Sequence, residues 1–331
     1  MNPLKHAVYS SFLKSGLVHA KRKFMPRRPL TVLGYHQINT PKFLRDTMGW
    51  EMTAEAFREQ MRYIATYHHP IGGKELEGIV ARNWPVPSNA VAVTFDDGYR
   101  DVYDVAFPIM KEFHIPGIVF LTTGPLDTGT SIWTNIVYYY FYLTRKNQVQ
   151  LKLPDGTTTG CRWNTPEEKR QCILQINRKL KTIPQDDMSK VLSVLATSLE
   201  IAKNPDPVDL LPMLTWQQVQ ELQESQLFTI GSHTVNHRIL SGCSEELQKK
   251  ELIDSKGRIE YETQVSCNFL AYPNGQVDDV TRETVELART VGYTAAFMFT
   301  PETPFPERSA WNAPRHPIMT PDIAEFSWLL S

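Results

Sequence analysis

The sequence predicts an α/β fold built on a mostly parallel sheet with crossover helices. From residue 30 onward, strand-like and helix-like segments alternate. The run AVAVTF (90–95) is continuously apolar, as in a strand covered on both faces. With 331 residues the chain can bury a full core, which suits one large α/β barrel with insertions or two modest domains.

The elements follow in order. TVLGYH (31–36) reads as the first strand. A helix is expected at about 53–66, capped by Thr53 and striped by Ala56, Phe57, Met61 and Ile64. After strand 90–95 come a helix over 100–113 and the strand GIVFLTT (117–123). Residues of about 126–211 break the rhythm and read as a mainly helical insertion. They hold an aromatic helix (133–143), a hairpin turning on Pro154, Asp155 and Gly156, and two further helices, closed by NPDPVDLLP (204–212). Alternation then resumes with helix 215–225, strand 227–232, helix 244–263, strand 267–272, helix 278–290 and strand 294–299. A last extended piece covers Ala313 to Met319.

Composition excludes several functions. With 35 Lys and Arg against 36 Asp and Glu and 41% apolar residues, neither a nucleic-acid binder nor a disordered acidic chain is expected. Charge is nevertheless uneven. No acidic residue precedes Asp46, whereas Lys5, Lys14, Lys21, Arg22, Lys23, Arg27 and Arg28 make residues 1–28 a basic arm. Val8, Tyr9, Phe12, Leu13 and Leu17 fall near helical spacing, so peripheral contact between an amphipathic helix and anionic lipid is one expectation, and a solvated helix the other. Neither a signal peptide nor a spanning segment is evident. Cys161, Cys172, Cys243 and Cys267 lack a C-x-x-C, which suits reduced thiols better than a disulfide framework or a thiolate metal site. A cytoplasmic location, peripheral at the inner membrane face, follows as the expectation.

Chemistry-bearing residues gather after strands, where parallel sheets place their ligands. His36 follows the first strand, Asp96 and Asp97 the second, and His233 and His237 another. His233 and His237 lie four apart in GSHTVNH, so both imidazoles can reach one ion if the segment turns. Adding one carboxylate gives a two-histidine, one-carboxylate set with open positions, suited to hydrolysis by a divalent ion. Water on such an ion still benefits from a base, and paired aspartates supply a ligand and a base from one turn. Gly98 lets the chain leave strand geometry there.

These residues resemble the polysaccharide deacetylases of the NodB-homology type, carbohydrate esterase family 4. TFDDGY (94–99) is similar to the family's first motif and SHTVNH (232–237) to its second. The resemblance covers most of residues 30–319. It implies a distorted (β/α) barrel of fewer than eight parallel strands as one domain over 29–331. It further implies Asp97, His233 and His237 as ligands of one divalent ion, zinc by default or else cobalt, nickel or manganese, with Asp96 as general base.

LAYPNG (270–275) stands at the family's third motif but carries Ala271 where that motif has arginine. By position, the oxyanion N–H would come from Asn274. APRHPI (313–318) lies at the final motif, whose histidine is the general acid; His316 is the candidate, and Arg315 the candidate to orient Asp96. As neighbours on an extended segment they should face opposite ways, so one enters the site, and Arg315 is favoured. His36 and Trp133 are candidates for lining a sugar groove. The implied activity is removal of N-acetyl groups from an amino-sugar glycan or lipid-linked glycan precursor by metal-bound water. The alternatives are another non-peptide C–N bond, such as a cyclic amide or N-formyl sugar, and a catalytically impaired carbohydrate-binding protein.

Overall fold

A computed structural model describes residues 30–49, 51–201, 211–301 and 309–331. The basic arm 1–28 and most of the NPDPVDLLP stretch lie outside these residues. Strand β1 (Leu30–Tyr35) is followed by helices α1 (Lys42–Met48) and α2 (Ala54–Tyr67), the second capped by the Thr53 hydroxyl accepting from the Ala56 N–H. The short β2 (His69–Pro70) and α3 (Gly73–Arg82) precede β3 (Ala90–Phe95). The sequence reading contains neither β2 nor α3. Glycines obscure α3, and packing requires them: a Cβ on Gly73 would lie 2.3 Å from the Thr229 hydroxyl, and one on Gly78 2.2 Å from the Trp84 ring.

The helix expected over 100–113 is a wide π turn, Val102–Ala106, running into α4 (Phe107–Glu112). Pro108 has no N–H to donate, and the Phe107 N–H reaches back five residues to the Val102 carbonyl. Next come β4 (Gly117–Leu121), α5 (Thr123–Thr128) and the aromatic α6 (Trp133–Leu143). The antiparallel hairpin β5 (Gln148–Lys152) and β6 (Thr158–Arg162) turns through Gly156 at φ 81°. Helices α7 (Pro166–Lys181), α8 (Met188–Ser198) and α9 (Trp216–Glu224) lead to β7 (Phe228–Ser232). The chain finishes with α10 (Glu245–Thr263), β8 (Phe269–Ala271), α11 (Arg282–Val291), β9 (Ala295–Phe297), β10 (His316–Pro317) and α12 (Ile323–Leu329).

Seven parallel strands run in the order β10-β1-β3-β4-β7-β8-β9, with β2 paired to β3 off that path. The segment around Ala313 bridges Phe297 on one side, and His316 pairs with Leu33 on the other, so this last piece of chain closes the sheet into a distorted (β/α) barrel. The Met298 N–H donates to the Ala313 carbonyl at 2.9 Å and the Ile318 N–H to the Gly34 carbonyl at 2.9 Å. Alternate strand residues split the core in two. Val32, Ala92, Ile118, Phe120, Ala271, Phe297 and Ala313 fill the barrel. Leu33, Val93, Phe95 and Val119 face the helices.

The cysteine expectation is corrected. Cys161 on β6 and Cys172 on α7 form a disulfide, while Cys243 and Cys267 are free and buried. The hairpin returns β6 alongside the start of α7, a proximity that spacing along the chain does not reveal, and the cysteine pattern therefore no longer argues for a reducing compartment. Among the described residues no helix is long and apolar enough to cross a membrane. Thiol titration of protein denatured without reductant is expected to find two thiols, and four after reduction; four without reductant would refute the bridge.

Candidate active site

At the carboxyl end of the strands lies a cavity of about 440 Å³, lined among others by His36, Asp96, Asp97, Tyr99, Trp133, Tyr138, His233, His237 and Asn274. Thr94 and Asp96 share the inner face of β3 and its continuation. Asp97 would point outward in a regular strand. It adopts φ 74° and Gly98 φ 85°, so the chain turns and both carboxylates serve one cavity.

Arg315 is fully buried inside the barrel and grips Asp96 with two parallel bonds, of 2.6 Å to Oδ1 and 2.8 Å to Oδ2. Its Nε donates to the Met298 carbonyl and Nη1 also to the Thr94 hydroxyl. The guanidinium lies 5.1 Å from the centroids of both the Phe120 and Phe299 rings. Burial alone would raise the Asp96 carboxyl; Arg315, with His233, outweighs burial and lowers it to about 2.

Asp97 is treated differently. Burial pushes its carboxyl up to about 6, against the His233 imidazole and a hydrogen bond from Tyr99. Its Oδ1 is buried without a hydrogen-bond partner, 3.6 Å from His233 Nε2 and 3.3 Å from His237 Nε2. The ligand atoms of Asp97, His233 and His237 all lie within 4.8 Å of one another. A tetrahedral ion with bonds of roughly 2.1 Å sets its ligands about 3.4 Å apart, so this orphaned oxygen and the two imidazoles fit a divalent ion. The His233 Nδ1 faces the Ala271 carbonyl at 2.7 Å, which places the proton on Nδ1 and leaves the Nε2 lone pair toward the ion position. Burial, followed by the imidazoles of His233 and His36, lowers His237 well below its ordinary value and keeps it neutral.

The structure thus brings Asp96, Asp97, His233, His237 and Arg315 together, with Asn274 on the same cavity at φ 61°. His316, expected as the acid, is elsewhere: it lines a second cavity with Leu30, Val32, Ile79 and Trp311. The physical reason is strand alternation, since Arg315 points into the barrel and its neighbour must point out. The imidazole outside the triad that lines the active cavity is His36, whose ring meets Phe299 edge-on.

Two acids that the sequence reading misses, the buried Glu251 and the half-buried Asp101, hold the site loops. Glu251 on α10 accepts from the Val235 and Asn236 N–H groups at 2.8 Å each and from the Arg238 guanidinium, and so sets the turn between the two histidines. Asp101 accepts from the Ile38 and Asn39 N–H groups beyond His36. Neither carries a signal in the sequence, since each acts on backbone brought near only by the fold.

Replacing Glu251 by Ala removes the acceptor of two backbone N–H groups and of the Arg238 Nε–H and is expected to weaken divalent-ion affinity about 10–100-fold, measured by competition with a chromogenic chelator. Arg315→Met strands a buried carboxylate and should cost about 3–5 kcal/mol in urea unfolding; a loss under about 1 kcal/mol would show that Asp96 does not depend on this partner.

A family model described as polysaccharide deacetylase matches residues 84–150 and 165–296, skipping most of the β5–β6 hairpin. Protein YxkH of Bacillus subtilis is 19% identical over 265 residues, covering 80% of this chain and 62% of its own length. The poly-β-1,6-N-acetyl-D-glucosamine N-deacetylase of Escherichia coli K12 is 26% identical over 94 residues, 28% of this chain and 14% of that protein. The chain therefore spans less than two thirds of either relative. Two solved structures share the fold: the Streptococcus pyogenes deacetylase PplD (TM-score 0.57, 17% identity, 92% of this chain and 97% of that one) and IcaB from Ammonifex degensii (TM-score 0.55, 18% identity, 90% and 97%). With the family match spanning both aspartates and both histidines of the site, the chain belongs to the polysaccharide deacetylase family.

Proposed function

We propose that this chain is a metal-dependent hydrolase that removes N-acetyl groups from an amino-sugar poly- or oligosaccharide. One observation carries the reading: a buried carboxylate oxygen without a hydrogen-bond partner faces two imidazole nitrogens at 3.3 and 3.6 Å, directly beside an arginine-held aspartate. The similarity to the poly-β-1,6-N-acetyl-D-glucosamine N-deacetylase of Escherichia coli supports a polymeric N-acetylhexosamine as substrate.

Asp97, His233 and His237 would hold the ion, zinc being the default for an Asp-His-His set. When bound, such an ion polarises the acetyl carbonyl and lowers the pKa of a water molecule beside it. Asp96, kept ionised by Arg315, takes the water proton at its carboxylate. The Asn274 N–H, held in a left-handed loop, donates to the developing oxyanion. His36, on the cavity wall with its imidazole kept neutral by burial, takes over the role that the resemblance gave to His316 by relaying to the departing amine the proton that Asp96 takes from the water. Trp133 donates its indole N–H to the His237 carbonyl at 3.0 Å, which fixes a flat ring beside the reacting group.

Asp96→Asn is expected to retain the ion and lose acetate release by about 10²–10⁴-fold, as is His36→Gln, whereas His233→Ala loses both ion and activity. Acetate release from a panel of N-acetylated oligosaccharides, with metal content measured in parallel, decides this. Near-parental turnover by Asp96→Asn would overturn the assignment of the base.

A further inference from the structure

Helix α7 ends on Lys181, and its side chain turns into the active cavity rather than out to solvent. Among the described residues that line this cavity, Lys181 is the sole lysine or arginine. Its Nζ donates to Asn274 Oδ1 at 2.6 Å across 93 positions of sequence. Asn274 Nδ2 in turn donates to Asp279 Oδ2 at 2.5 Å, which also accepts from the Gln276 N–H at 2.7 Å. The ammonium group is thereby fixed in place. An ammonium carries three N–H donors, and Asn274 is the one acceptor given to it among the described residues, so two donors remain for a molecule in the cavity that Lys181 lines.

We infer that Lys181 is a substrate-binding residue, delivered by the 126–211 segment, that donates hydrogen bonds to a hydroxyl or ring-substituent oxygen of the neutral sugar unit next to the reacting acetamide. The inference rests on the deacetylase reading. Asp279 offsets the charge of Lys181 through Asn274, which makes the group a fixed donor for neutral oxygens and a poor trap for anions. A lysine that only balanced the dipole at the carboxyl end of α7 would extend into water, as the exposed Arg178 one turn earlier does. The segment interrupting the barrel is therefore part of the substrate site, and specificity among acetylated glycans is set partly by where α7 ends.

The test compares the parent chain, Lys181→Met and Lys181→Arg on an N-acetylated β-1,6-linked glucosamine pentamer, with metal content and thermal midpoint recorded for each. A lost hydrogen bond to a charged donor is expected to raise KM for Lys181→Met about 10-fold or more, with kcat within about 2-fold. Lys181→Arg should recover much of that loss. An unchanged KM, or a fall in kcat alone, would overturn the inference, because the side chain would then act on the Asn274 loop and not on the sugar. Binding of the pentamer to Asp96→Asn protein separates the two levels of the argument. Binding that Lys181→Met weakens supports the inference, binding that it leaves unchanged refutes it alone, and no binding together with an inactive parent refutes the deacetylase reading as well.

Discussion

The bidentate pair between Arg315 and Asp96 is the constraint on which the rest of the site depends. A buried carboxylate without a partner protonates, and a buried guanidinium without one is prohibitively desolvated. Each makes the other tolerable. Two further donors of Arg315 go to the Met298 carbonyl and the Thr94 hydroxyl, and its faces lie against two phenyl rings. With four of its five N–H donors bonded in this way, a costly pair becomes a rigid one. Asp96 consequently stands ionised, with its oxygens fixed, before any substrate arrives.

The same turn treats its second aspartate in the opposite way. Asp97 is raised by burial, which outweighs the His233 imidazole and a hydrogen bond from Tyr99, and Arg315 makes its bonds to Asp96 instead. Two carboxylates in one peptide turn therefore differ in charge preference because one faces an arginine and the other faces imidazoles. The difference is what the proposed division of labour between a proton acceptor and a metal ligand requires. Holding that geometry requires the His233–His237 turn to keep its shape, where Thr234 and His237 both adopt positive φ. Glu251 supplies this by tying two backbone N–H groups and Arg238 to α10.

Much of this was legible in the sequence, and what was not has definite causes. AVAVTF gave β3 at its observed bounds because a continuous apolar run has one comfortable place in a parallel sheet. Thr53, followed by an apolar stripe, marked α2 for an equally local reason. The pairing of aspartates with the two histidines was readable because their motifs sit at strand ends, which topology gathers. Contacts made only by the fold were hidden: Glu251 under the histidine turn, Lys181 against Asn274, and Cys161 against Cys172. The side of the strand on which His316 lies was hidden for a related reason. His316 occupies a suggestive position in the chain, but alternation sends it to the outer face, and the imidazole that reaches the cavity comes from the end of the first strand instead.

The location of Arg315 also couples chemistry to closure of the barrel. Three of the residues around it, Ala313, His316 and Ile318, make the bonds that join β9 to β1. Those strands lie far apart along the chain and have no other bridge between them in the described sheet order. Parting of this seam would withdraw the guanidinium from Asp96 and leave the carboxylate buried without a counter-charge, a state disfavoured by several kcal/mol. The ion pair thus resists opening at the very seam where the sheet is least continuous. A site arginine placed on a neighbouring internal strand would orient Asp96 equally well but would not clasp the ring. The position on the last strand accounts at once for the orientation of Asp96 and for how a barrel of only seven strands stays shut.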